Sequence, residues 1–454
     1  MNYKAPRGTH DIFGVDLERM SLLEQNARTI FKKYGFKEMR TPIFEDASLF
    51  TRSVGQVTDI VKKEMYIFKD RKERKLALRP EGTASIVRAF IEHRLDVMGP
   101  AVVKFFYMGE MFRYERPQAG RYRQFHQIGA EFFGSSSPAA DAEIILLAYD
   151  LLRSVGINKV SVRLNSLGCQ NCRHAFREEL VKYLISIEGL CGDCRERLWR
   201  NPLRVLDCKI DLNRFTCIPE MSNYLCSECE NDFSLLKSLL DGVRCNYKVD
   251  NRLVRGLDYY TKTVFEIYCT DIDSHTEIAI SEKVEKELST KVLDIGQTVV
   301  LAAGGRYDNL VEELGGRSTP AVGFALGSER VLIVADTNLM PLNIFQEEEI
   351  YYIAIVDQEL FKEAFSFAVK IRRDGLKNNK NISVFGPIDG KSLTWQLKFA
   401  DKIGASKTII FAKIEFEKGK VLVKNMQNAK DKMQTEVLID EFLNVTNNCR
   451  AVHS

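Results

Sequence analysis

Two strand-like runs, residues 102–108 and 124–133, flank a connection at 113–123 that is crowded with arginine, glycine and proline. Strands joined by a polar loop of this kind predict an antiparallel hairpin. No other feature constrains the fold as much, because antiparallel strands here argue against a nucleotide site on a doubly wound parallel sheet. Other elements follow from periodicity. A helix is expected over residues 15–34, with Leu22, Leu23, Ala27 and Ile30 at helical spacing and Gly35 closing it. The stretch 36–45 reads as a strand interrupted by Pro42, which cannot donate a ladder hydrogen bond and so belongs at a sheet edge.

A length of 454 residues implies about three domains, or two with a large insertion. With 45% hydrophobic and 28% charged residues, the composition excludes a mainly disordered chain. No apolar run approaches the roughly 18–20 residues needed to span a bilayer, and the N-terminus lacks the apolar core of a signal peptide. No membrane association and a cytoplasmic location are therefore expected. The pattern of strands and one helix over residues 76–133, then a helix at 141–155 and a strand at 160–164, changes between residues 168 and 243. Most of the cysteines lie there, amid polar helical stretches. The earlier pattern returns from Leu253, with a polar excursion at 271–294 and a last apolar helix at 328–335. After a linker at 338–349, strand and helix alternate: 351–356, 360–375, 382–385, 392–403 and 408–412. Such alternation predicts a small α/β domain with a largely parallel sheet. The expected division is a core at 1–167 and 246–337, an inserted module at 168–245, and a C-terminal domain at 348–446.

Chemistry concentrates in the arginine-rich connection, FRYERPQAGRYRQF at 112–125. Planar guanidinium donors bind phosphate oxygens in pairs, and the interleaved Tyr122 and Phe125 offer faces for a nucleobase. A solvated basic loop would account for the composition equally well. A second signal is GFALGSER at 323–330, where Arg330 sits in the first turn of an apolar helix. A cation there opposes the helix dipole unless an anion is held nearby.

Together these stretches resemble the class II aminoacyl-tRNA synthetases, with Pro42 in the first family motif, the Arg113 hairpin in the second and the Gly327–Arg330 turn in the third. LVRGLDYYT at 253–261 and GGRYD at 304–308 look like the signature peptides of the histidyl-tRNA synthetase family, and RPEGT at 79–83 and FHQIG at 125–129 also fit. GKSL at 390–393 and ADKIGA at 400–405 fit its anticodon-binding domain. The resemblance implies a mixed α/β fold, an antiparallel sheet flanked by helices, with an inserted module and a C-terminal α/β anticodon-binding domain. It implies a homodimer that activates L-histidine with ATP, taken as its Mg2+ complex, and transfers the histidyl group to the 3′ end of tRNA(His). The catalytic residues would be Arg255, Arg113 and Arg330, with Arg113, Arg121, Phe125 and Arg330 binding ATP. Glu81, Thr83 and Gln127 would hold the amino group of histidine, and Glu131, Tyr259 and Tyr260 would approach its imidazole. Arg116 and Gln118 would meet the tRNA acceptor end. A non-enzymatic relative, the regulatory subunit of ATP phosphoribosyltransferase, is disfavoured because it lacks the C-terminal domain. Between Ile371 and Met433 the chain carries 14 Lys/Arg against 6 Asp/Glu, within a whole-chain net charge of only +3, so basic charge is localised where an anticodon would bind.

The eleven cysteines, in a long chain with no export signal, point to reduced thiols or metal ligands rather than disulfides. Cys169, Cys172, Cys191 and Cys194 match the spacing of a four-cysteine zinc site. Cys208, Cys217, Cys226 and Cys229 form a possible second set. A structural zinc is expected, with unliganded thiols as the alternative.

Overall fold

The computed structural model describes residues 3–55, 58, 60–117, 120–208, 210–269, 299–335, 349–377, 382–388, 390–426 and 434–442. The expected excursion at 271–294, nearly all of the 338–349 linker and Gln118 lie outside these residues. The chain divides into two units, residues 1–340 and 341–454.

Helix α1 (Val15–Lys33) buries Leu22, Leu23, Ala27 and Phe31 on one stripe, and Gly35 at φ +80° ends it. The stretch around Pro42 is not one strand. Its first half, β1 (Lys37–Glu38), pairs in parallel at the edge of a large sheet. Its second half, β2 (Phe44–Asp46), joins β3 (Ile67–Lys69) and β4 (Lys75–Leu78) in a separate antiparallel sheet of order β2-β4-β3. Missing its N–H, Pro42 falls where the chain leaves one sheet for the other. Helices α2 (Ala47–Ser53), α3 (Thr83–Glu92) and α4 (Leu95–Met98) lead to the hairpin.

The hairpin strands are β5 (Val103–Phe112) and β6 (Gln124–Phe133), antiparallel from Val103 opposite Phe133 to Phe112 opposite Gln124. After α5 (Pro138–Ser154) and β7 (Val160–Ser166) come the module helices α6 (Gln170–Ile185), α7 (Gly192–Arg200) and α8 (Ser227–Gly242). The chain then adds β8 (Tyr247–Val249), β9 (Thr261–Cys269), β10 (Val300–Arg306) and β11 (Ala321–Gly327), followed by a helix at Ser328–Val334. The eight-stranded order is β1-β5-β6-β11-β10-β9-β7-β8, antiparallel except at its two outermost pairs. Alternation along β5 divides the core by face. Phe106 joins the cluster built with α1 and α5, stacking on Phe31 at 4.6 Å, whereas its neighbour Tyr107 joins the cluster on the other side, with Phe90, Phe133 and the module.

In the second unit the sheet order is β13-β12-β14-β15-β16, with β12 (Glu349–Ile355), β13 (Ile382–Phe385), β14 (Lys407–Phe411), β15 (Lys420–Asn425) and β16 (Gln434–Leu438). The three strands expected from the alternation are parallel, and two antiparallel strands, not foreseen, extend one edge. Strand β12 is apolar on both faces, Tyr351 and Ile353 packing into one cluster and Tyr352 and Ala354 into the other. A continuous apolar run of this kind belongs in the middle of a sheet covered on both sides.

Candidate active site

Sheet order decides what meets. Strands β6, β11, β10 and β9 are successive neighbours, and Gly327 pairs with Gln127. The hairpin, the turn before the Ser328–Val334 helix and the peptide before β9 therefore converge on a cavity of about 450 Å³. Five arginines from four stretches of the chain line it: Arg113 and Arg121 of the hairpin connection, Arg204, Arg255 and Arg330. Its wall also includes Glu81, Thr83, Phe125, Gln127, Tyr259 and Tyr260.

One end of the cavity is cationic. Arg113 donates from Nε to the Pro80 carbonyl at 2.8 Å, and its guanidinium carbon lies 5.4 Å from the centre of the Phe125 ring. Glu115 stands 3.8 Å from Arg113 and 3.7 Å from Arg121, too far for direct hydrogen bonds but close enough to offset part of their charge. Arg330 donates to the Gly120 carbonyl at 3.2 Å. Burial first, then repulsion from Arg121, Arg113 and Arg255 against a weaker pull from Glu115, lowers its pKa to about 10. Arg255 donates to Glu266 on β9. Burial works against its charge, but Glu266 together with Tyr260, Asp207 and Tyr259 outweighs it, and its pKa is raised. Among the described residues, the buried Arg255 Nε has no hydrogen-bond partner.

The other end is built from buried acids and tyrosines. Glu81 accepts the N–H groups of Thr83 at 2.7 Å and Ala84 at 2.8 Å, satisfying donors at the start of α3. Its burial still raises its pKa. Glu131 is not on the cavity wall. One oxygen accepts Thr83 Oγ1 at 2.7 Å and the other accepts the Tyr307 hydroxyl, so it stands directly behind two wall residues. Burial pushes Glu131 up to about 8, against the lowering effect of those two hydrogen bonds. Gly323 must lack a side chain, because a Cβ there would overlap the Glu131 carboxylate. Tyr107 needs the same bareness at Gly82 and Gly129, and its hydroxyl reaches Gln127 at 3.4 Å. The rings of Tyr259 and Tyr260 lie 4.7 Å apart.

Sequence reasoning missed Tyr107, Tyr307, Glu115 and Glu266. Tyr307 and Glu115 lie inside stretches already singled out, and their neighbours drew attention away from them. Glu266 carries a readable signal, an acid in an otherwise apolar strand. Arg306, in the same GGRYD stretch, serves the fold: it is fully buried and pairs with Asp141 at 2.8 Å and Asp308 at 3.0 Å. Arg116 is exposed.

The expected cysteine sets are corrected. Among the described residues, Cys169 and Cys172 meet Cys226 and Cys229, while Cys191 and Cys194 meet Cys208 and Asp211. Cys217 is exposed and belongs to neither group. Spacing identifies each two-residue knuckle but not its partner. The knuckles 169/172 and 226/229 straddle the starts of α6 and α8, which come together and enclose the second group between them in sequence. In each group the four ligand atoms lie within 4.8 Å of one another, with sulfurs 3.5 Å apart at Cys169–Cys172 and 3.7 Å at Cys191–Cys208. Tetrahedral zinc with Zn–S bonds of about 2.3 Å needs sulfurs about 3.8 Å apart. The donor sets fit such an ion and leave it no open position.

Residues 8–171 match the family described as "Histidyl-tRNA synthetase". A histidine–tRNA ligase from Endomicrobium trichonymphae is 67% identical, covering 97% of this chain and 100% of that protein. One from Aquifex aeolicus is 45% identical, with 95% and 98% covered. Among solved structures, apo S. aureus histidyl-tRNA synthetase aligns with a TM-score of 0.77 at 31% identity, covering 98% of this chain and 100% of that one.

Proposed function

The chain belongs to the histidyl-tRNA synthetase family, and from that premise we propose how its cavity performs the family's reaction. The chain acts as an ATP-dependent ligase of histidine to tRNA. Adenine rests on Phe125, and ATP enters as its Mg2+ complex. Arg113 and Arg255 grip the α-phosphate from opposite elements, while Arg121 and Arg330 take the outer phosphates. The histidine carboxylate attacks the α-phosphorus, the new P–O bond forms, and the bond to pyrophosphate breaks with the electrons leaving on that group. Such a displacement gains mainly from positioning and from neutralised charge. In the second step a hydroxyl oxygen of the terminal tRNA ribose bonds to the histidyl carbonyl carbon, the acyl–phosphate bond breaks with its electrons leaving on AMP, and the hydroxyl proton is released.

At the acidic end Glu81, Thr83 and Gln127 surround the amino group. Tyr259 and Tyr260 frame the imidazole, which Glu131 addresses through Thr83 and Tyr307. A pocket of polar groups rejects amino acids that leave them unpaired, by about 10⁴-fold in comparable sites. One observation carries this reading: five guanidiniums from four stretches of the chain share a cavity whose far end is backed by buried carboxyls. ATP–pyrophosphate exchange tested with each amino acid in turn should proceed with histidine alone. Exchange driven by another amino acid, or none with histidine, would overturn the assignment.

The finer parts of the proposal rest on other features. The basic stretch from Ile371 to Met433 supports anticodon binding by the domain at 348–446, and Arg116 with Gln118 would meet the acceptor end. The exposed Ile43, Phe44, Ile67 and Phe68 of the small sheet offer the apolar face that a homodimer would bury. Light scattering should give twice the mass of one chain. Zinc is the proposed ion for both cysteine groups, since soft thiolates in a closed tetrahedral set favour it. No described helix is long and apolar enough to cross a membrane, and the proposed location is the cytoplasm.

A further inference from the structure

The module at 168–245 supplies Arg204 to the cavity wall and holds one peptide of that wall, residues 255–262, and the two cysteine groups divide the hold on that peptide between them. Helices α6 and α8 start at the Cys169/Cys172 and Cys226/Cys229 knuckles, and both grip the later half. Directly after Cys172, Arg173 donates from Nη2 to the Tyr260 carbonyl. From α8, Glu228 and Asp232 hold the Lys262 ammonium at 3.1 and 2.9 Å. Backbone bonds join the same places, from Lys262 to Gly168 at 3.0 Å and from Leu167 to Lys262 at 2.6 Å. The earlier half is held by the chain running between the Cys191/Cys194 knuckle and Cys208. There Arg204 Nη1 donates to the Arg255 carbonyl at 3.0 Å, and Asn201 Nδ2 donates to Asp258 at 2.8 Å.

Each group thus organises the segment that fixes one part of the peptide: the all-cysteine set at Tyr260, beside the acidic end, and the Asp211-containing set at Arg255, at the cationic end. We propose that Arg173 and Arg204 are positioning residues through which two separate metal knots set the two ends of the cavity, Arg173 governing histidine binding and Arg204 governing the phosphate-contacting Arg255. The inference rests on the zinc reading and on the cavity assignment above. Neither arginine is a ligand in either group; Arg204 also lines the cavity wall, and neither contacts histidine in the proposed reading.

The experiment measures zinc per chain together with kcat and KM for histidine and ATP in pyrophosphate exchange. Wild-type protein purified without chelator should hold about two zinc ions per chain. Arg173→Met should keep both ions and raise KM for histidine about tenfold, with KM for ATP within about twofold of wild type. Arg173→Lys, which restores a donor to the Tyr260 carbonyl, should recover most of that loss. Arg204→Met should keep both ions and lower kcat about tenfold while KM for histidine stays within about twofold. Wild-type kinetics in both methionine variants, the same change in both, or loss of zinc from either would overturn the proposal. Wild-type protein without zinc would instead remove the metal reading, and with it the metal part of this one, whatever the arginine variants show.

Discussion

Arg330 keeps its proton at neutral pH, with a pKa of about 10, but does so against burial and three other guanidiniums. Like charges held in one cavity raise the energy of the empty site, and an arriving polyphosphate lowers it. The same convergence sets the cost of removing Arg255. Arg255→Ala should reduce pyrophosphate exchange by about 100-fold or more, the usual cost of losing a donor to transition-state charge. The substitution also leaves Glu266 without its partner, so the double variant Arg255→Ala/Glu266→Gln is the control. If it folds like wild type and still fails to exchange, the loss belongs to catalysis. Glu131 offers a second test. Its folded pKa of about 8 lies far above the ordinary carboxyl value of 4.5, mainly because it is buried. The folded state therefore binds this proton more tightly than the unfolded chain does. The resulting stability is complete below the ordinary pKa and is lost as pH rises through the folded one. Compared with Glu131→Gln, wild-type protein without substrate should melt at progressively lower temperature from about pH 5 to pH 8, with the difference levelling off above that. A constant difference across that range would show that Glu131 is already ionised in the folded protein.

Among the elements, the hairpin was the most legible because its signal is local: alternation on both sides of a polar connection. The helices at Val15–Lys33 and Pro138–Ser154 and the central strands of the C-terminal unit also appear close to where periodicity puts them. Pairing across distance was less legible. Nothing near Pro42 tells which sheet each half of its strand joins, and β15 and β16 sit in a polar stretch with little alternation. The cysteine knuckles follow the same rule, each local and each recognisable, with partners set by where helices α6 and α8 begin. Cys217→Ser should accordingly leave zinc content unchanged, whereas Cys208→Ser should lose about one ion per chain. Loss of zinc on replacing Cys217 would restore the grouping read from spacing.

For the whole molecule, charge is nearly balanced, 65 basic against 62 acidic side chains, yet it is unevenly distributed. Counter-ion release makes contacts with a polyanionic chain depend strongly on salt, while a small substrate in an enclosed cavity depends on it far less. Raising salt from about 50 to 200 mM should lower kcat/KM for tRNA at least about tenfold and change histidine-dependent exchange by no more than about twofold. Equal sensitivity of the two reactions would argue against an electrostatic role for the basic stretch. The amino-acid sequence by itself determined many of the elements, the family and part of the cavity wall, because periodicity and contiguous motifs are encoded in neighbouring residues. Only the tertiary structure decided that Glu131 stands behind Thr83 and Tyr307, that Glu266 meets Arg255, and which cysteines meet. Those facts depend on strand order and on where helices start in space, and both are set by burial of surfaces far apart along the chain.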